Sequence, residues 1–414
     1  MIDFSIPYLY FGADTLAGLA GFCSQNQFEA IHLIADQNTF PILGQAVESC
    51  LQSPGRSVRT TILEGDPLQA GGDAVLQLIT HIEPLSQVFI AVGSGTVTDV
   101  VRFTSRALAR PFISVPTAPS VDAYTSPTSP LIVSGIKQSF PGQLPLAVFA
   151  HLPTLCAAPQ AMIMAGFGDM LGKLTALADW ELGRLLWDEP YDAQIAFQSR
   201  LNLQHCIDQV DAISTHKPEG IRILMESLLD SGLNMAKAGS SRPASGAEHH
   251  LAHFWEMNLL WDNRPPVLHG IKVGFATLLV ADSYSRLRSI APSKIEAWLK
   301  RTSLPDSKTQ LDEIRQNYYR NPDRIVVEQK RFLEITPSGW QQLQQRISDQ
   351  WHVIQSVAAL VPTRSEIERI LEPIHFPLTA ADVGLTEKDV NSGLLSAHYL
   401  RDRFTVFKLL FYLR

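Results

Sequence analysis

Three histidines and an aspartate carry the sharpest chemical pattern in this chain. In Ser245-Gly-Ala-Glu-His-His-Leu-Ala-His253, His249 and His253 stand four residues apart. A helix would put both on one face, with His250 about a quarter-turn away. His269 opens Leu268-His-Gly-Ile-Lys-Val-Gly274 ahead of an apolar stretch, and Asp169 sits in Gly166-Phe-Gly-Asp-Met-Leu-Gly-Lys173. One carboxylate and two imidazoles that leave a coordination position open form a donor set used by catalytic Zn2+. There is no His-Glu-x-x-His, so the metalloprotease helix does not apply. Any one of these histidines alone is more often a surface or satisfied core residue; the set gains meaning only if its members converge.

Two further segments are candidate binding loops. Gly93-Ser-Gly-Thr-Val-Thr-Asp99 follows an apolar run and precedes Val100-Val-Arg-Phe-Thr-Ser-Arg-Ala-Leu-Ala109. Its glycines would admit close backbone approach, and the N–H groups of a following helix would favour a diphosphate. An ordinary tight strand-to-helix turn would look the same, and the usual dinucleotide glycine pattern is absent. Pro116-Thr-Ala-Pro-Ser-Val-Asp-Ala-Tyr-Thr-Ser-Pro127 combines three prolines with Thr117, Ser120, Asp122, Thr125 and Ser126, more small polar groups than a stiff turn needs. Asp36 ends an apolar run; there it can close a turn, or accept hydrogen bonds from an adenosine ribose and repel a 2′-phosphate.

The elements that must position these groups follow from periodicity. Ala30–Ala35, Val58–Leu63, Gln87–Val92 and Pro111–Val115 are short β-branched runs separated by helical stretches, the pattern of a parallel sheet with crossover helices. Ligands of such sheets bind beyond the carboxyl ends of the strands. After about residue 160 strand signals stop. Leu171, Leu174, Ala178 and Leu182 make a helical face, and Thr363-x-x-Glu366 is a capping-box pattern. The polar stretch 301–324, with its charges and two prolines, reads as a surface excursion between helices. The expected fold class is α/β: a parallel-sheet dinucleotide-binding domain over 1–160, then an all-helical metal- and substrate-binding domain over 161–414, with the active site in the cleft between them.

Composition narrows the function classes. The 414 residues carry 34 Lys+Arg against 41 Asp+Glu, a net charge of −7, without a basic run, which excludes the electrostatic footprint of a nucleic-acid binder. A hydrophobic share of 45% supports a large core. No uncharged apolar run reaches the roughly 18–20 residues of a membrane span, and Met1-Ile-Asp-Phe-Ser-Ile-Pro-Tyr-Leu-Tyr-Phe-Gly12 does not look like a signal peptide. Cys23, Cys50, Cys156 and Cys206 are scattered, as reduced thiols of a cytoplasmic protein would be.

Five ordered motifs, GSGTVTD, PTAPSVDAYTSP, AGFGDMLGKLTALADWELG, SRPASGAEHHLAHFWE and HGIKVG, resemble the glycerol-1-phosphate dehydrogenase family. That family is a branch of the group holding glycerol dehydrogenase, iron-containing alcohol dehydrogenases and dehydroquinate synthase. The resemblance implies an enzyme that interconverts dihydroxyacetone phosphate and sn-glycerol 1-phosphate with NAD(H), or also NADP(H). Glycerol dehydrogenase action on an unphosphorylated polyol and a dehydroquinate-synthase-like lyase are the alternatives. It implies that Gly93, Gly95, Thr96, Val97, Thr98 and Asp99, with Thr117, Ala118, Pro119, Ser120 and Ser126, hold the nicotinamide cofactor and that Asp36 takes its ribose. Asp169, His249 and His269 would bind one divalent metal; Asp122, Asp169 and His253 would touch substrate and carry the catalysis. Lys173 stands where iron-dependent relatives often place a histidine, which favours Zn2+ or Ni2+ over Fe2+. Ser94 replaces the middle of a glycine triplet, and Ile271-Lys272 replaces a Glu-Gln-like pair. Arg242 and Lys272 are the candidates for the substrate phosphate. The implied assembly is a homodimer or higher homo-oligomer, with no nucleic acid and no membrane as partner.

Overall fold

Alternation of apolar side chains on both faces of short strands builds the first half of the chain. In the strand Ala30–Asp36, Ile31, Leu33 and Ala35 enter one core and Ile34 the other; in Val88–Gly93, Val88, Ile90 and Val92 face the first core and Phe89 and Ala91 the second. Strands buried on both sides read as nearly continuous apolar runs, which is how a parallel sheet covered by helices announces itself.

The computed structural model describes residues 7–12, 14–133 and 135–414. The opening segment read for a leader therefore lies, over residues 1–6, outside the described residues. The strands are β1 Tyr8–Gly12, β2 Ala30–Asp36, β3 Ser57–Leu63, β4 Val88–Gly93, β5 Phe112–Pro116, β6 Thr128–Val133, β7 Ile136–Pro141 and β8 Ala147–His151. Six form a parallel sheet in the order β1-β8-β5-β4-β2-β3, and β6 and β7 form a separate antiparallel hairpin. The four expected strands are present as β2 to β5. β1 and β8 are no shorter than β5 but are not β-branched runs: β1 is Tyr-Leu-Tyr-Phe-Gly, and β8 is mixed with alanine.

The chain divides into two compact units, residues 1–170 with 205–239, and residues 171–204 with 240–414. Six helices matter for the chemistry: α1 Gly95–Ala107, α2 Gln160–Leu171, α3 Lys173–Trp187, α4 Pro218–Ala238, α5 Ala247–Trp261 and α6 His269–Ser289. No strand is found beyond His151 among the described residues. The helical run 160–187 is apolar and long enough to cross a membrane by length and composition alone, but 78% of its most apolar stretch is buried in the protein.

Thr363 and Glu366 form the expected reciprocal cap of the helix Arg364–Leu371. The stretch 301–324 departs from expectation. It contains the helix Ser307–Asn317, capped by Asp306, whose side chain accepts the Thr309 N–H, and it buries Gln310, Ile314 and Tyr318. A few inward residues among many charges suffice to seat an amphipathic surface helix.

Candidate active site

The strand order sets the first part of the site. From β2 the sheet runs to β3 at one edge, while β4, on its other side, leads through β5 and β8 to β1. The order reverses between β2 and β4, where an open parallel sheet leaves a crevice beyond its carboxyl ends. Asp36 ends β2, and Gly93 ends β4.

The carboxylate of Asp36 is already fixed. Its Oδ1 accepts the N–H groups of Asn38 and Thr39, each at 2.8 Å, and the Thr39 hydroxyl donates to the Val92 carbonyl of β4 at 3.0 Å. After Gly93, α1 opens directly at Gly95, and Ser94, Gly95 and Thr96 are half-buried. A Cβ at Gly95 would stand 2.9 Å from Val121 Cγ2, so the bare glycine lets the Pro116–Pro127 loop lie against the helix start. Val97, Thr98 and Asp99 turn inward instead: Val97 joins the core around Val100 and Phe112, and Asp99 pairs with Arg102.

Arg102 braces the next loop. Its Nη1 donates to Asp99 Oδ1 at 2.7 Å and to the Thr128 carbonyl at 3.3 Å. Its Nη2 donates to the carbonyls of Ala123 and, at 2.9 Å, Tyr124. Burial pushes the Asp99 carboxyl up to about 7, and the Arg102 guanidinium opposes that rise. Thr117, Ala118, Ser120 and Ser126 are buried in this loop, and the Tyr124 hydroxyl donates to the Ala118 carbonyl at 2.5 Å.

Helices α2 and α4 press on the loop from within the same unit. A side chain at Gly166 of α2 would collide with the Pro119 carbonyl, and one at Gly232 of α4 would stand 2.9 Å from the Asp122 carbonyl oxygen. This contact seats Asp122: its Oδ2 accepts the Ser231 hydroxyl at 2.8 Å, and Thr125 donates to the Leu229 carbonyl at 2.5 Å. The Asp122 backbone N–H donates to Asp169 Oδ2 at 3.0 Å, which orients the fully buried Asp169 carboxylate.

In the second unit, α5 packs on α6. Spacings of four and then three residues place His249, His253 and Glu256 along one stripe of α5, while α6 contributes His269 and Lys272 from its first turn. The ring centroids of His249 and His269 are 5.3 Å apart, and those of His253 and His269 5.1 Å, nearly parallel at 26°. His250 points elsewhere and is buried, with its imidazole held well below the ordinary histidine range by burial and then by Arg403 and Arg401.

Glu248 holds His249. Its Oε1 lies 2.8 Å from His249 Nδ1 and also accepts the Gly246 N–H, while Oε2 accepts the Thr175 hydroxyl at 2.6 Å. Burial works to raise this carboxyl, but the hydrogen bonds from His249, Thr175 and Gly246 outweigh it and leave it below the usual range. An ionised carboxylate only accepts, so Nδ1 carries the hydrogen and Nε2 keeps its lone pair.

Within the second unit, His253, Glu256 and His269 each offer one ligand atom, and these atoms all lie within 4.8 Å of one another. By donor chemistry, the expected ligands Asp169, His249 and His269 fit a divalent cation: one buried carboxylate, two imidazoles, and a carboxylate behind one ring that fixes its tautomer. Arg242, weighed for the substrate phosphate, is ion-paired with Glu189 at 2.6 Å.

A family model described as iron-containing alcohol dehydrogenase matches residues 10–159. Over 410 residues the chain is 33% identical to a glycerol-1-phosphate dehydrogenase (NAD(P)+) of Geobacillus stearothermophilus, covering 98% of this chain and 92% of that protein. The chain belongs to the glycerol-1-phosphate dehydrogenase family. A second member, from Bacillus subtilis, is 41% identical over 305 residues, covering 72% of this chain and 77% of its own length. Among solved structures, an iron-containing alcohol dehydrogenase from Corynebacterium glutamicum aligns with a TM-score of 0.64 at 11% identity, covering 98% of this chain and 91% of that one. At that identity the likeness concerns the fold alone.

Sequence reading of this family member passed over Arg102, Ser231, Glu248 and Glu256. Three of them left a local trace: Arg102 is three residues from Asp99, Glu248 adjoins His249, and Glu256 is three residues from His253. Ser231 left none, because its partner Asp122 is 109 positions away.

Proposed function

We propose that this protein interconverts dihydroxyacetone phosphate and sn-glycerol 1-phosphate with NAD(H) or NADP(H), at a divalent cation held by Asp169, His249 and His269. The observation that carries the reading is the 33% identity over 410 residues to a relative named glycerol-1-phosphate dehydrogenase (NAD(P)+), with the imidazoles of His249 and His269 5.3 Å apart in the second unit in support. When bound, the cation supplies Lewis-acid polarisation of the substrate C2 carbonyl and the reduced nicotinamide supplies the hydride.

The chain's own residues do the rest. Asp36, locked by two backbone N–H groups, presents a fixed carboxylate to the ribose hydroxyls. The open N-terminus of α1 at Gly95 and Thr96 faces the diphosphate. Asp122, held by Ser231, accepts a substrate hydroxyl. His253 delivers a proton from Nε2 to the C2 oxygen in reduction and takes it back in oxidation. With Lys173 at the position four residues after Asp169, three protein donors remain, which favours Zn2+ or Ni2+ over Fe2+.

Asp169→Asn tests the reading. The expected result is loss of bound metal by anaerobic elemental analysis and a drop of about a thousandfold in NADH oxidation with dihydroxyacetone phosphate, the scale of several kcal/mol of Lewis-acid stabilisation. A natively folded Asp169→Asn protein with unchanged metal content and turnover would overturn it. Wild-type turnover higher with free glycerol than with the phosphorylated pair would move the substrate assignment.

A further inference from the structure

We propose that Glu256 is a positioning residue that holds His253 in its working tautomer, with the buried Lys272 ammonium holding Glu256 in turn. The inference rests on the proton-delivery role given to His253 above. Glu256 Oε2 lies 3.1 Å from His253 Nδ1, and Glu256 Oε1 lies 3.5 Å from Lys272 Nζ. Glu256 therefore bridges the two, with the Lys272 side chain only 1% exposed.

A carboxylate accepts hydrogen bonds and does not donate them, so His253 must carry a hydrogen on Nδ1. That assigns Nε2 to the exchange with substrate. In reduction the Nε2–H bond of the imidazolium breaks as the O–H bond forms at C2, leaving a neutral ring with its hydrogen on Nδ1. In oxidation Nε2 takes the alcohol proton, and Glu256 faces the positive ring that results. The near-parallel stacking of His253 on His269 limits ring rotation, so one carboxylate suffices to choose the nitrogen.

A metal site is the competing reading of the same residues, since ligand atoms of His253, Glu256 and His269 lie within 4.8 Å of one another. Lys272 argues otherwise. Its ammonium already places a positive charge at Glu256, and a dication there would face that charge and draw His269 away from His249.

Glu256→Gln in metal-reconstituted protein decides the matter, because glutamine keeps the size and removes the charge. We expect one metal per chain as in wild type, KM for dihydroxyacetone phosphate within about threefold, and kcat lower by about 10- to 100-fold, the usual cost of losing a carboxylate behind a working histidine. In a His253→Gln background Glu256→Gln should cost nothing further. Side-chain 15N NMR, with His253 assigned by its absence in His253→Gln, should show the Nδ1-protonated form in wild type and a redistribution in Glu256→Gln. Unchanged kcat and tautomer, or equal losses in both backgrounds, would overturn the proposal. Loss of metal in Glu256→Gln would overturn it in favour of a ligand role. If wild-type protein fails to oxidise NADH with dihydroxyacetone phosphate, the function reading fails, and the NMR result alone decides whether Glu256 positions His253.

Discussion

Arg102 and Lys272 are both buried cations three residues along a helix from a residue singled out by sequence, yet they are held in opposite ways. Arg102 is fully buried; it donates to Asp99 and to the carbonyls of Ala123, Tyr124 and Thr128, so it ties α1 to carbonyls 21 to 26 residues further along the chain. Lys272 faces Glu256 at 3.5 Å, and that carboxylate is 22% exposed and shared with His253. A guanidinium that bridges several backbone oxygens fixes a shape. An ammonium beside a carboxylate that itself addresses a histidine sets a charge. The first should therefore be read out in stability and the second in turnover.

The sharpest way to break this contrast is Arg102→Met. It leaves the Ala123 and Tyr124 carbonyls without their donor and removes the guanidinium paired with the buried Asp99. Removing one partner of a buried pair costs about 3–5 kcal/mol. The first unit should unfold at markedly lower denaturant, and Asp99→Asn added to Arg102→Met should recover part of the loss. An Arg102→Met protein that melts with wild type would place Arg102 outside the frame of the loop.

How much of this could be read in the sequence depends on the range over which each residue acts. Asp169, His249 and His269 stand out in the sequence as candidates because residue types able to bind a metal are few, and His249 and His253 share a helical spacing. β2 to β5 were legible because burial on both faces leaves unbroken apolar runs. Ser231 and Gly232 were not, since their value lies in touching Asp122 and Thr125, more than a hundred residues earlier. The same holds for α4, whose apolar face says that it is buried but not that it packs on the Asp122–Thr125 turn. In 301–324 the charges outnumbered the inward residues and hid a helix. Lys272 was visible as a departure from the family pattern, but its partner Glu256 lies on another helix, and only the packing of α5 on α6 makes the pair.

Lys272→Met sharpens the contrast from the other side. Methionine fills similar volume, and replacing a buried charge with an apolar group is often neutral or stabilising. Glu256 retains solvent contact, so it is not stranded. Thermal melts should stay within a few degrees of wild type while kcat with dihydroxyacetone phosphate falls about tenfold, a loss of about 1.4 kcal/mol at the transition state. A large melting shift with normal turnover would make Lys272 a brace like Arg102 and remove the distinction.

The smallest expected effect concerns acid stability of the sheet that Arg102 helps to frame. His32, fully buried in β2, has Nε2 2.8 Å from the Thr61 hydroxyl of β3. Burial, then the nearby Arg59, His81 and Arg110, push its imidazole down to about 4 from an ordinary value of 6.5. A histidine with a depressed folded value is neutral in the native state but takes a proton once unfolded. Its contribution is whole above about 6.5 and drains away as the pH falls from there toward 4. The melting temperature of the first unit should fall by a few degrees between pH 7.5 and pH 5. His32→Gln can keep a hydrogen bond to Thr61 without titrating, so its melting temperature should change less over that interval. Equal slopes for His32→Gln and wild type would shift the acid sensitivity to other buried groups and leave Arg102 as the feature that sets the stability of this unit.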